Sequence, residues 1–158
     1  MPEKPHPSVI KVSDALREAG AAGEVVVLTD SAPTAASAAA QLGCEVGAIA
    51  NSLIFDADGE ALLVLTSGAH RVDTGLIAGL VGASKVRRAS PDFVKAATGQ
   101  TIGGVAPVGH PAPIRTLVDT WLGKHDVVWA AAGHSHTVFP TTFEELVRIT
   151  GGTPVEVE

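Results

Sequence analysis

Polar side chains without formal charge gather in three otherwise apolar stretches of this 158-residue chain. The first is Val46-Gly-Ala-Ile-Ala-Asn-Ser-Leu-Ile-Phe55, where Asn51 and Ser52 interrupt an apolar run. Buried polar groups are costly unless paired, so both require partners. Asn51 either fastens a neighbouring loop or faces a ligand. The second is Gly103-Gly-Val-Ala-Pro-Val-Gly-His-Pro111. Glycine lets a backbone approach a ligand closely, and proline fixes the bend. Backbone N–H groups from Gly103, Gly104, Val105 and Ala106, shaped by Pro107, could hold a carbonyl oxygen or an anion. The competing reading is a tight connection between strands. The third is Ala131-Ala-Gly-His-Ser-His-Thr137, in which His134 and His136 lie on one side if the segment is extended. Gly133 before a histidine, between two strands, fits a pocket rim.

Three other chemistries are weaker here. A metal centre on His134 and His136 needs a third ligand; His110, His70 and Asp73 are available, but no spacing selects them. Ser135 beside histidine resembles a nucleophile pair only in composition, because no G-x-S-x-G elbow occurs. Cys44, the single cysteine, excludes an internal disulfide and a cysteine-based zinc cluster, and reads as a small hydrophobe. Lys85, Arg87 and Arg88, with His70, Arg71 and Lys95, form the one basic concentration. They either meet phosphates of a nucleic acid or blunt a strand edge.

Elements must position these groups. Ser8 can cap a helix to about Glu18, after a proline-rich arm over residues 1–7. Glu24 to Leu28 predicts a strand, and Thr34 to Leu42 an alanine-rich helix stopped by Gly43. Val46 to Asp56 and Ala61 to Thr66 predict a hairpin closed by Asp58-Gly59. Helices follow from Asp73 to Val81 and from Ser90-Pro91 to Gly99, separated by a short strand at Lys85 to Arg87. Val105 and Arg115 to Val118 are weaker strands; Asp126 to Ala131 and Thr137 to Phe139 are stronger. Thr141 with Glu144 fits a capping box for a helix to Ile149, and Val155 to Val157 predicts an edge strand.

Hairpins interleaved with helices imply an α+β fold with a mixed, mainly antiparallel β-barrel or sheet surrounded by helices. No G-x-G-x-x-G turn follows the first strand, and no phosphate-binding G-x-x-x-x-G-K-[ST] occurs. One domain over residues 8–158 is expected from the length. Hydrophobic residues at 46 % and charged residues at 18 % exclude a disordered chain. A net charge of −6 leaves any nucleic-acid contact to a local patch. The charge-free stretch Ala96 to Ile114 is too broken by glycine and proline to span a membrane, and the start has no apolar signal core, so a cytoplasmic protein is expected.

Five segments occur in order: Ile49-Ala-Asn-Ser-Leu-Ile-Phe55, Leu63-Val-Leu-Thr-Ser-Gly-Ala-His-Arg-Val-Asp73, Gly103-Gly-Val-Ala-Pro-Val-Gly109, Val127-Val-Trp-Ala-Ala-Ala-Gly133 and the closing Thr-Phe-Glu-Glu-Leu helix. Together they make the chain resemble the YbaK/ProX-type aminoacyl-tRNA deacylases, also found as the editing insertion of bacterial prolyl-tRNA synthetases. The resemblance runs from about Ser8 to Gly152, and Gly103-x-x-x-Pro107 is its most specific marker. It implies a YbaK-like fold, no cofactor, and hydrolysis of the ester joining a wrong amino acid to tRNA, commonly a tRNA for proline. It implies catalytic roles for Asn51, Gly103, Gly104 and Pro107, and substrate contacts from Ser52, Val105 and Ala106; Gly133, His134 and His136 are expected at the rim, and His70, His110, His134 and His136 could each take part of the polar role, with nothing in the sequence choosing among them. Lys85, Arg87 and Arg88 would meet the acceptor end of the tRNA, with an aminoacyl-tRNA synthetase as a further partner. One departure stands out: the family carries a lysine that orients the amino acid or terminal adenosine where this chain has Asn51. The alternative is therefore a weakened or inactive module that binds tRNA or a small ligand.

Overall fold

A computed structural model describes residues 7–29, 34–100, 104–134 and 136–158. The expected arm lies outside these residues except for Pro7, which already opens helix α1 (Pro7–Glu18). Proline suits that first position, where its missing N–H has no intrahelical acceptor. Val9, Val12 and Leu16 recur at helical spacing and form the buried stripe of α1. Strand β1 (Val26–Val27) is shorter than the valine run that predicted it. Helix α2 (Ala35–Leu42) starts where Thr34 accepts the N–H of Ser37 and stops at Gly43, in the left-handed conformation.

Strand β2 (Ile49–Ala57) begins three residues later than the sequence suggests, because Val46–Ala48 form a 3-10 turn. The hairpin to β3 (Glu60–Ser67) turns through Asp58 at φ 53° and Gly59 at φ 92°, the paired positive angles of the tightest hairpin turn. Asp58 tolerates this because its carboxylate accepts the N–H groups of Ser84 (2.7 Å) and Lys85 (2.9 Å). Helix α3 (Thr74–Val81), strand β4 (Val86–Arg88) and helix α4 (Pro91–Thr98) follow; Ser90 caps α4 as expected, and Asp73, expected as the first residue of its helix, caps α3.

Val105 lies in no strand; proline at 107 has no N–H to give a ladder, and the Ala106 N–H is taken by a side chain. Next come β5 (Arg115–Asp119), β6 (Val128–Ala131), β7 (Thr137–Thr141), α5 (Phe143–Thr150) and β8 (Thr153–Val155). The cap of α5 is Thr142, not Thr141: its hydroxyl accepts the Glu145 N–H at 3.0 Å. The Glu145 carboxylate is drawn outward instead, to the Thr141 hydroxyl (2.7 Å) and the Ala22 N–H (3.1 Å).

The eight described strands form one mixed sheet in the order β1-β7-β6-β2-β3-β5-β8, with β4 also on β2. Pairing is antiparallel for β1/β7, β2/β3, β2/β4 and β6/β7, and parallel for β2/β6, β3/β5 and β5/β8. Alternation sends successive residues to opposite faces, and both faces are covered. Ala50, Ile54, Leu63, Leu65, Val118 and Phe139 pack with Val12 and Leu16 of α1, Val94 of α4 and Leu146 of α5. Phe55, Leu62, Val64 and Leu117 pack on the other side with Ile77 of α3, Val86 and Val157. Ala38 and Ala39 of α2 pack against Ile49, so part of the surplus among the 25 alanines lets a helix lie close to the start of β2.

Candidate functional site

Backbone pairing along β2 is interrupted at one place. Strand β3 occupies one edge from Ala50 to Ala57. The opposite edge pairs with β6 at Ile49 and Ala50 and with β4 from Phe55 to Ala57, while Ala89 donates to the Ile54 carbonyl at 3.3 Å. Asn51, Ser52 and Leu53 therefore have no ladder partner on that edge among the described residues. The Ile49 carbonyl bonds Gly68 on the β3 side. Strand alternation then directs the N–H and carbonyl of Ser52 into the open span. The Ser52 hydroxyl oxygen is buried and has no partner among the described residues. Such an orphaned group in a native fold calls for a ligand or water.

Asn51 and Ser52 do not share a face. Asn51 lies on the side of Leu53 and Phe55, opposite Thr66 across the hairpin. Ser52 lies on the side of Ala50 and Ile54, where the glycine–proline loop also packs. Two adjacent polar residues in a strand carry no sign of which faces the site. The packing partners decide it.

Gly104, Val105, Ala106 and Pro107 are all buried; Gly103 lies outside the described residues. The side chains of Val105 and Ala106 belong to the core, so what they can offer a ligand is backbone. Four hydrogen bonds fix that backbone. Gly133 donates to the Gly104 carbonyl at 2.9 Å. Ala106 donates to Gln100 Oε1 at 2.7 Å, and Gln100 Nε2 donates to the Val108 carbonyl at 3.2 Å. His110 Nε2 donates to the Ala106 carbonyl at 2.9 Å. The N–H groups of Gly104 and Val105 bond to no other described residue.

Gly104 is required by contact, not by torsion. A Cβ there would fall 2.7 Å from the carbonyl carbon of His134 and 2.8 Å from its Cα. At Gly133, φ is +104° and a Cβ would meet the Ser8 carbonyl at 2.9 Å and Val12 at 3.0 Å. The two glycines let the loop, the β6–β7 connection and α1 meet. His134 and His136 have near-parallel rings with centroids 6.4 Å apart. They line a cleft of about 1210 Å³ between α1 (Val9, Ile10, Ser13) and residues 21–28. Ser135 lies outside the described residues. No group of three or more His, Cys, Asp or Glu among the described residues is arranged to hold a metal ion.

His110 is half-buried, and desolvation pushes its imidazole below the ordinary value of 6.5, partly countered by its bond to the Ala106 carbonyl. It serves the loop as a neutral Nε2–H donor. His70 is taken up elsewhere: Nδ1 meets Asp119 at 2.8 Å, Nε2 meets Glu158 at 3.5 Å, and its ring lies 4.7 Å from Trp121. Asp119 is 1 % exposed and also accepts the N–H groups of Ser67 (2.9 Å) and Trp121 (2.9 Å), so this array ties β3, β5 and the chain end together. Burial pushes the half-buried Cys44 thiol up, away from nucleophilic use.

Among the basic residues, Arg87 pairs with Asp56 at 3.4 Å and is mostly exposed, Arg88 is exposed opposite Phe55, and Lys85 extends from the Asp58 clamp. Strand β4 lies on the same edge of β2 as the open span, and its last residue, Arg88, pairs with Phe55 where that span ends.

The spacing missed two residues. Gln100 holds the only carboxamide in the charge-free stretch Ala96 to Ile114, the one signal that could have drawn notice. Asp119 closes the apolar run Leu117-Val118, and a carboxylate there needs donors.

No described helix is long and apolar enough to cross a membrane. The chain resembles a solved structure of a candidate trans-editing enzyme for prolyl tRNA synthetase, with 39 % identity and a TM-score of 0.92 over 98 % of this chain and 99 % of the other. It is 30 % identical to the uncharacterised protein YwhH of Bacillus subtilis strain 168, over 78 % of each chain. It is 34 % identical to the proline–tRNA ligase of Nitratidesulfovibrio vulgaris strain Hildenborough over 69 % of this chain and 19 % of the ligase, so the match spans about a fifth of that enzyme. Residues 29–149 match the model of the aminoacyl-tRNA editing domain, and the chain belongs to that family.

Proposed function

We propose that this protein is a trans-editing hydrolase that cleaves the ester between a wrong amino acid and a tRNA of the proline type. The observation that carries the reading is the pairing gap of β2: among the described residues the Ser52 backbone has no partner there, and its buried hydroxyl, also without one, lies on the face against which the fixed Gly104–Pro107 loop packs. Water or a substrate hydroxyl attacks the ester carbonyl carbon, and the carbonyl oxygen gains charge. Preformed N–H donors at Gly104 and Val105 stabilise that oxygen, and Pro107 keeps the bend; Gly103, outside the described residues, is the sequence's further candidate for this role. The C–O bond to the ribose then breaks, and the ribose oxygen leaves with a proton. His134 and His136 border the cleft for the acceptor end, and Ser52 contacts the substrate beside the terminal adenosine. Lys85, Arg87 and Arg88 meet phosphates.

Editing in trans suits this chemistry, because a synthetase cannot reject a small side chain strongly by binding alone. Support for the proline-type substrate comes from the candidate trans-editing structure and the proline–tRNA ligases that the chain resembles. The test is release of labelled amino acid from tRNA(Pro) carrying alanine, serine or cysteine. Release faster than buffer for at least one supports the reading; no release from any, with a lysine-bearing relative active alongside, overturns it.

Asn51 favours a second reading, a binding module with weakened or lost turnover. Its amide donates and accepts but carries no charge, and so stabilises an anion less than the family's lysine. If Asn51→Lys creates hydrolysis absent from the wild type, the native protein binds without turning over.

A further inference from the structure

We infer that Gln100 is a positioning residue for the reaction: its carboxamide holds the glycine–proline loop in the shape that leaves the Gly104 and Val105 N–H groups for the ester oxygen. The inference rests on the hydrolase reading above. Gln100 is 2 % exposed, an unusual place for a carboxamide. Both ends of the amide are used on one loop. Oε1 accepts the Ala106 N–H at 2.7 Å, and Nε2 donates to the Val108 carbonyl at 3.2 Å, so the side chain spans the bend at Pro107. Its own backbone is fixed in turn. Thr98 Oγ1 accepts the Gln100 N–H at 3.0 Å, and its single O–H is within donating distance of the Val94 carbonyl (2.8 Å) and the Gln100 carbonyl (3.1 Å). The loop is thereby anchored to the last turn of α4 (Pro91–Thr98).

The chemistry divides the three loop N–H groups between two tasks: those of Gly104 and Val105 are left for the ester oxygen, and that of Ala106 is given to Gln100. Without Gln100, the Ala106 N–H would be a buried donor with no acceptor and would compete for the same incoming oxygen. With Gln100, that donor is withdrawn and the loop's orientation is set from inside the core. Donors fixed before the substrate arrives need no reorganisation as charge develops. Gln100 touches neither substrate nor water in this scheme, and acts only through the loop.

Gln100→Leu removes both hydrogen bonds at similar volume, and Gln100→Glu keeps an acceptor for Ala106 but loses the donor to Val108. The probe is alanyl-, seryl- or cysteinyl-tRNA(Pro), whichever the wild type hydrolyses. For Gln100→Leu we expect kcat and kcat/KM to fall together by about 10- to 100-fold with KM within about twofold, the pattern of an interaction used in the transition state. Gln100→Glu should recover part of the loss. A kcat within twofold of wild type in the folded Gln100→Leu protein, or a loss confined to KM, overturns the inference. Amide hydrogen exchange reads the same device without substrate: protection at Ala106 should fall at least tenfold in Gln100→Leu while protection in β3 is retained. If the wild type hydrolyses none of the three tRNAs, the hydrolase reading falls, and with it the catalytic consequence of Gln100. The exchange result then decides the loop staple by itself, loss at Ala106 supporting it and retained protection overturning it.

Discussion

Adding one methyl group at Gly104 tests the site architecture with the least chemistry changed. The Cβ of Gly104→Ala would sit 2.7, 2.8 and 3.0 Å from three backbone atoms of His134, where ordinary contact begins at 3.4 Å. Backbone cannot rotate aside as a flexible side chain can. The loop and the His134 segment must therefore separate by about 0.7 Å, in a close-packed interior that resists such shifts. That displacement strains the 2.9 Å bond from Gly133 to the Gly104 carbonyl and moves the N–H groups of Gly104 and Val105, which have no acceptor among the described residues. Overpacking of this kind costs about 1–3 kcal/mol. In a protein of this length that lowers Tm by roughly 2–10 °C. Misplacement approaching 1 Å can cost about 100-fold in rate, so deacylation by the folded variant should drop by roughly 10- to 100-fold. Gly59→Ala is the control: no atom lies within 4 Å of its Cβ, and only its φ of +92° opposes alanine, at the far hairpin end of β2. It should lower Tm and leave the rate unchanged. The assays are a thermal melt and single-turnover release of amino acid from mischarged tRNA. Wild-type rate and Tm in Gly104→Ala would refute the reasoning.

Acidification provides another test. The His110 pKa is lowered in the folded protein, so the unfolded chain binds more protons there; stability is greatest above 6.5 and is lost as pH falls through the folded value. The urea midpoint of wild type should drop between pH 7 and pH 5 more steeply than that of His110→Gln. Asp119→Ala strips a nearly inaccessible carboxylate from two backbone N–H groups and His70, and should cost about 3–5 kcal/mol in denaturant unfolding, most of it from orphaned buried donors. Arg88→Ala and Arg87→Ala should raise KM for tRNA and flatten its dependence on salt, read as the slope of log KM against log salt, with kcat unchanged. Asn51→Lys restores the positive charge that the family carries at this position and should raise kcat; an unchanged or lower rate would remove the lysine position from the chemistry.

Local signals in the sequence were reliable where one or two residues dictate geometry. Thr34, Asp73 and Ser90 cap their helices as their hydroxyl and carboxylate groups require, and Gly43, Gly82 and Gly99 end them in the left-handed conformation. Asp58-Gly59 specified the hairpin and its register. Signals failed where the deciding partner is distant in the chain. The parallel pairings of β3 with β5 and of β5 with β8 join segments whose own residues read only as short apolar runs. The α5 cap slipped by one residue because Glu145 bonds Thr141 and Ala22, and the latter contact is 123 residues away in sequence.

The same distinction divides the site. The glycine–proline loop and the Gly133–His134 segment were legible because glycine and proline carry their geometry with them. That Ser52 and the loop share a face while Asn51 takes the other depends on β2 packing between two layers. His70 was grouped with the site by residue type, but Asp119, a strand end 49 residues on, claims it. Gln100 escaped notice because its value lies in two backbone groups that only the folded loop brings within reach.

The central claim is ester hydrolysis of mischarged tRNA by this fold. The direct measurement is the rate at which purified protein releases labelled alanine, serine or cysteine from tRNA(Pro), with prolyl-tRNA(Pro) as the correctly charged comparison. The account predicts release well above the buffer rate for at least one of the three, with the prolyl ester spared and the rate lowered roughly 10- to 100-fold by the loop variant Gly104→Ala. Release no faster than buffer for all three, under conditions where a lysine-bearing relative is active, would contradict it.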